Sequence, residues 1–230
     1  KFKSVFSTDI VNVIDRVSFP LLSKIQNQNT ELKATLKQII IFSTSITFTI
    51  SIFIIASSET FIILLLGEKW SVSVKYLQII SIEGLIAPLQ ILNLKILLVK
   101  GRSDTFLRLD IIKKILISLN LFLGYFYGIN TLLWGTVVIS IVSFFLNSYY
   151  TRYLIDYSAT EQLKDCLKPF LISLIIGLVV IYLSFLDFDN LIIFIMQIIC
   201  SCILFVILSR IIQNKYYKMF ISFSKRICND

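Results

Sequence analysis

The sequence contains no histidine, three prolines, seven glycines and four cysteines, and only 16% of its residues are charged. Each shortage excludes something. Without histidine, a hydrolase would have to draw its base from a carboxylate or a lysine, and no nucleophile–base pair is visible in the sequence. Cys166, Cys200, Cys202 and Cys228 lack zinc-ligand spacing. They read as small buried or lipid-facing residues. No glycine-rich phosphate loop is present, and no internal repeat emerges. Soluble domains carry about 25% charged residues, so the low charge content argues against a soluble domain.

Apolar residues fill the space left by charge. They make up 57% of the chain, and the mean hydropathy is +0.85. Together these indicate an all-α, polytopic transmembrane helix bundle. The net charge of +8 does not indicate nucleic acid, because the basic residues fall in short segments between apolar runs. The chain opens KFKSVF, with no initiator methionine and no signal peptide. This suggests a piece of a longer protein.

The apolar runs predict the following order. Val5 to Leu22 is a moderately apolar helix in which Asp9, Asn12 and Arg16 form a polar stripe at i, i+3, i+7, with Asp15 beside it. Such a helix is too polar to face lipid and reads as a cavity-lining span, with a surface helix as the alternative. Residues 23–38 read as a polar linker and 39–57 as a span. The FIILLLGEKW segment within 59–74 is too short to cross and reads as re-entrant or interfacial, with Trp70 at the headgroups. Spans follow at 74–99, 115–127, 132–150, 169–186 and 191–210. A polar loop is expected over 151–168, with Pro169 opening the next helix. Organisation is expected as 1–157, 158–213 for a terminal helix pair, and 214–230 for a basic tail on the membrane surface. Lysine and arginine concentrate in alternate loops, and by the positive-inside rule those loops and the C-terminus are cytoplasmic.

The 74–99 span is the unusual one, because it contains Glu83, Gln90 and Asn93. Around a helix, Gln90 lies about 20° and Asn93 about 80° from Glu83, so all three share one side. A carboxylate in hydrocarbon costs about 2.5 kcal/mol or more, so that side faces protein or a wet cavity. One reading is a transport path or a cation site; the other is helix–helix hydrogen bonding in a packed bundle. Pro88 between them removes a backbone donor and predicts a kink or local opening. Lys95 is near the cytoplasmic end and can snorkel. Arg102 sits in the turn KGRSD, where Ser103 or Asp104 is expected to cap the next helix.

Four segments carry a resemblance: FPLLSKIQNQ at 19–28, LLLGEKW at 64–70, YLQIISIEGLIAPLQILN at 76–93 and KGRSDTFLRLDIIKK at 100–114. In this order they resemble the Wzx-type O-antigen and polysaccharide flippases, lipopolysaccharide-biosynthesis members of the multidrug/oligosaccharidyl-lipid/polysaccharide exporter superfamily. The resemblance runs from about residue 4 to 168. Asp15 departs from the usual hydrophobic or small polar residue at its position.

The resemblance implies a MATE-like fold of two six-helix lobes, usually with two further helices. This chain would supply the second lobe and the terminal pair, in the bacterial inner membrane, with an N-terminal lobe still needed. It implies a non-enzyme that moves undecaprenyl-pyrophosphate-linked glycan between leaflets by alternating access. Its partners would be the lipid-linked glycan and membrane lipids. No cofactor is implied beyond possible H⁺ or Na⁺ coupling. Candidate substrate-path or coupling residues are Glu83, Gln90, Asn93, Arg16, Asn12, Lys95 and Arg102, with Glu83 the candidate for ion coupling and no metal ligands. The competing readings are a MATE-type multidrug exporter and a membrane glycosyltransferase or polymerase. The latter would require catalytic residues in a sizeable loop, and the loops are short.

Overall fold

The computed structural model describes residues 18–228, with side chains over residues 18–210, and the described part is helical throughout. A short helical stretch over 18–24 and a turn lead into α1 (Asn29–Leu66). There follow α2 (Val72–Val99), α3 (Ser103–Tyr127), α4 (Ile129–Ile155), α5 (Ala159–Ser184) and α6 (Asn190–Cys228). α1, α2, α4, α5 and the 190–210 part of α6 are long and apolar enough to cross a membrane. The chain is a multi-pass membrane protein. α3 falls outside that group because Arg108, Asp110, Lys113 and Lys114 crowd its first half. At 25 residues it is nevertheless about 37 Å long and runs beside α4 for its length.

Several boundaries differ from the sequence expectation. α1 is one unbroken 38-residue helix. It absorbs most of the expected linker and all of FIILLL, so this segment is not a separate re-entrant piece. At 1.5 Å per residue the helix is about 57 Å long, well beyond the hydrocarbon thickness of about 30 Å. Glu31, Lys33 and Lys37 therefore lie on an extension of the same helix. α5 begins at Ala159, not at Pro169, which is inside it. The Ser158 side chain accepts from the Glu161 amide and caps α5. The expected 151–168 loop thus shrinks to three residues, 156–158. α2 is continuous through Pro88, without the expected opening.

α1 is rich in β-branched residues, which favour strands in water. In a membrane every backbone group must be bonded internally, and this favours the helix. Its hydroxyls bond back to the preceding turn: Thr44 to the Ile40 carbonyl (2.7 Å), Ser45 to Ile41 (2.6 Å) and Ser57 to Phe53 (2.8 Å). Polar side chains are thereby accommodated on an apolar helix.

The helices pack as a row. α3 lies on α4, α4 on α2, and α2 on α1, while α5 and α6 pack together on the far side of α1. The largest core cluster joins Leu36, Ile40, Leu92, Ile96, Phe144 and Tyr157. Glycine permits the closest approaches. A Cβ at Gly135 would lie 1.8 Å from the Asn120 side-chain oxygen, and one at Gly177 would lie 2.4 Å from a methyl of Ile52. The outward faces of α3 to α6 expose large apolar side chains such as Leu119, Phe122, Phe145 and Leu178, as a lipid-facing surface requires.

Candidate polar seam between the helices

The helices alternate in direction, and their polar ends meet where the basic loops are. Lys33 pairs with Glu161 (2.9 Å) and donates to the Asp156 carbonyl (2.6 Å). Lys37 pairs with Asp165 (2.6 Å). Lys100 donates to the Gln26 carbonyl and to Asn29 Oδ1 (2.6 Å). These contacts bring the start of α1, the end of α2, the α4–α5 turn and the start of α5 to one basic end of the bundle. The sequence-predicted alternation of loops is thus present in the geometry.

From that end a line of polar side chains runs inward along α2. At Asn93, fully buried, the amide forms a reciprocal pair with Gln162 of α5. Asn93 Nδ2 donates to Gln162 Oε1 (2.7 Å), and Gln162 Nε2 donates to Asn93 Oδ1 (2.9 Å). Gln162 Nε2 also donates to the Tyr157 carbonyl (3.3 Å). The Tyr157 hydroxyl donates to Asp165 (2.8 Å), whose other oxygen holds Lys37. Burial, and then the neighbouring Asp165 carboxylate, pushes the Tyr157 hydroxyl far above the usual phenol range. It is a fixed neutral donor.

Deeper in the bundle, Lys113 of α3 donates to Gln90 Oε1 (3.0 Å) and Gln90 Nε2 donates to Ser140 Oγ of α4 (3.4 Å). Ser140 Oγ in turn donates to Glu83 Oε1 (3.4 Å). Donors and acceptors in this chain all point one way, from ammonium to carboxylate. An amide has one donor end and one acceptor end, so a cation on one side and a carboxylate on the other fix the orientation of Gln90. Asn147 of α4 adds a bond to the Gln90 carbonyl (2.8 Å), and Thr151 one to that of Asn93 (3.4 Å). The seam therefore binds α2 to α3, α4 and α5 through charge and amide pairing in a low-dielectric setting, where such bonds are strong.

Against the sequence expectation, Glu83 and Gln90 do share a side, both meeting Ser140 of α4, while Asn93 turns to α5. Gln90 is 5% exposed and Asn93 not at all. Lys95 is half-buried, with its ammonium 6.0 Å from the centre of the Phe19 ring. Arg102 is exposed at the turn into α3. There the end of α2 is closed by backbone bonds from Gly101 to the Leu98 carbonyl (3.0 Å) and from Arg102 to Leu97 (2.7 Å), with Gly101 at φ +68°. No side chain caps α3, so Ser103 and Asp104 do not play the expected role. Asn12 and Arg16, with Asp9 and Asp15, lie outside the described residues.

Sequence reading missed Lys113, Ser140, Asn147, Tyr157 and Gln162. Lys113 looked like one more basic-loop residue, and Gln162 lay in what read as a loop. The charge of Lys113 inside an apolar helix was the one available signal. No cluster of metal-ligating residues occurs among the described residues. A further cavity lies elsewhere, between α1 and α6. It measures about 280 Å³, is lined by Ile46, Ile50, Phe53, Ile198 and Phe205 among others, and holds no charged group.

Comparison with known proteins gives three likenesses. The profile of a family described as polysaccharide biosynthesis protein matches residues 1–75. The teichuronic acid biosynthesis protein TuaB of Bacillus subtilis (strain 168) is 28% identical over 168 residues, 73% of this chain and 35% of that protein. The structure of the lipid II flippase MurJ in an inward closed conformation superposes with a TM-score of 0.66 at 19% identity. The superposition covers 95% of this chain and 45% of that one. The chain thus spans about a third of the curated relative's length and under half of the solved structure. The sequence likenesses are both to polysaccharide biosynthesis proteins, and the likeness to the MurJ structure is one of fold.

Proposed function

We propose that this chain is one lobe of a transporter that moves lipid-linked oligosaccharide from the cytoplasmic to the outer leaflet of the bacterial inner membrane. The glycan unit is carried on undecaprenyl pyrophosphate, and transport proceeds by alternating access. A second, N-terminal lobe completes the cavity, and the basic end with the C-terminus faces the cytoplasm. The chain does no bond-making chemistry itself. The observation that carries this reading is the flippase-like fold over 95% of the chain, joined to a charged seam inside its helices.

Within that seam Glu83 is the coupling group, taking up H⁺ or Na⁺. Its neutralisation would remove the negative charge that anchors the Ser140–Gln90–Lys113 chain and so loosen the hold of α3 on α2. Gln90 positions this relay, while Asn93 fastens α2 to α5. Lys95 and Arg102, at the cytoplasmic end, with Asn12 and Arg16 on the first helix, are candidates for holding the anionic head of the substrate.

The test uses the full-length protein in its own cell. Glu83→Gln, at normal protein abundance, should impair surface glycan display, and normal display would falsify the coupling role. Drug sensitivity of a deletion strain with intact surface polysaccharide would instead place the protein among multidrug exporters.

A further inference from the structure

At the basic end, a cavity of about 180 Å³ is lined by Leu97, Arg102, Thr105, Tyr150, Tyr153 and Leu154. It lies where the end of α2, the start of α3 and the end of α4 come together. Ligand pockets for drug-sized molecules run to about 300–1,000 Å³. This one suits a headgroup rather than a glycan. We propose that it binds the phosphate headgroup of an anionic membrane phospholipid in the leaflet at the basic end.

The chemistry of the lining supports this occupant. Several other cations at this end are engaged: Lys33 with Glu161, Lys37 with Asp165 and Lys100 with Asn29. The Arg102 guanidinium has no such partner among the described residues. Its backbone, however, is pinned on both sides: its N–H is bonded to Leu97 and its carbonyl accepts from the Phe106 amide (3.0 Å). The donor fork is thus set on a rigid turn beside the cavity, and a guanidinium matches phosphate geometry by bidentate bonding.

The hydroxyls of Tyr150 and Tyr153 likewise have no hydrogen-bond partner among the described residues, and Tyr153 is 80% exposed. Arg102 and Thr105 bracket the uncapped first turn of α3, whose amide groups and dipole favour an anion. The Thr105 hydroxyl already bonds Asp104 (3.4 Å), and Asp104 is not part of the lining. Leu97 and Leu154 supply apolar surface beside these donors. An amphiphile with a phosphate head meets both requirements, and tyrosine is enriched at membrane–water interfaces. This occupant replaces the substrate-head role for Arg102 and leaves the rest of the transport reading unchanged.

The test takes the full chain in nanodiscs of phosphatidylcholine doped with phosphatidylglycerol, with retained lipid counted by native mass spectrometry. Phosphatidylglycerol should be retained over phosphatidylcholine. Arg102→Gln should cut that preference about tenfold, the factor expected for losing one charge-assisted hydrogen bond. Arg102→Lys should cut it less, and Tyr153→Phe about twofold to threefold. Arg108→Gln, an exposed arginine outside the lining, should leave it intact. Equal retention of both lipids by the wild type would overturn the proposal, as would an equal loss in Arg108→Gln, which would trace the preference to overall charge. Displacement of the retained phosphatidylglycerol by millimolar inorganic phosphate would assign the cavity to free phosphate instead.

Discussion

The Asn93–Gln162 pair shows what burial does to a single amide. Each side chain is fully buried, and each satisfies the other's donor and acceptor. Removing one partner leaves the other's polar groups unpaired, which costs about 1–3 kcal/mol, whereas replacing both by apolar groups of similar shape can be nearly neutral. Asn93→Leu and Gln162→Leu should therefore each lower the unfolding temperature in detergent, and the double variant should recover part of the loss. Additive losses would show that the amides do not act as a unit.

Tyr157 gives a prediction in pH. Its hydroxyl is held far above the usual phenol range by burial and by Asp165. The unfolded chain's tyrosines ionise near pH 10, while Tyr157 keeps its proton in the folded state. Above pH 10 the unfolded form then binds fewer protons, so stability is intact below that value and falls as pH rises beyond it. Tyr157→Phe should melt at lower temperature at pH 8, by about 1 kcal/mol for one lost hydrogen bond. It should also show a shallower decline between pH 9 and 11 than the wild type.

At the scale of elements, the packing turns on two glycines. At Gly177 an added methyl would meet the Cγ2 of Ile52 at 2.4 Å, and the χ1 of a β-branched side chain is stiff. Gly177→Ala should destabilise the α1–α5 contact by about 1–3 kcal/mol, as overpacking does. At Gly135 the clash falls on Asn120, whose side chain donates to the Leu132 carbonyl (3.0 Å). Gly135→Ala should pry α3 from α4, and crosslinking between cysteines placed on those two helices should report the loss. In both cases expression and monodispersity in detergent separate a local effect from failure to fold.

At the scale of the whole molecule, the expected orientation gives the cleanest experiment. Cysteines introduced at Ser103 and at Lys168 should be protected from an impermeant thiol reagent in intact cells, and a cysteine at Trp70 or Asn130 should be labelled. The reverse pattern would invert the bundle and remove the basis for a cytoplasmic substrate-entry side. The proposed N-terminal lobe should also change the exposure of this one. Co-expression with the proposed N-terminal lobe should protect residues on the face it covers and leave the lipid-facing α3 and α5 positions as they are.

Sequence by itself determined the class of structure and its alternation. Long apolar runs with few charges can satisfy their backbone in a membrane only as helices, and basic residues in every second loop set which ends lie together. It also picked out Glu83 and Gln90, because an ionisable group in a span is costly enough to stand out. Where helices end was legible only in part. An apolar stretch can continue into a polar one without a break, as α1 does before residue 39 and α5 does before Pro169. Only the tertiary structure decided which polar groups meet. Lys113 and Gln162 looked like loop residues until α3 and α5 were packed on α4 and α2. Hydrogen bonding between helices depends on which faces are opposed, and hydropathy along a single chain does not contain that information.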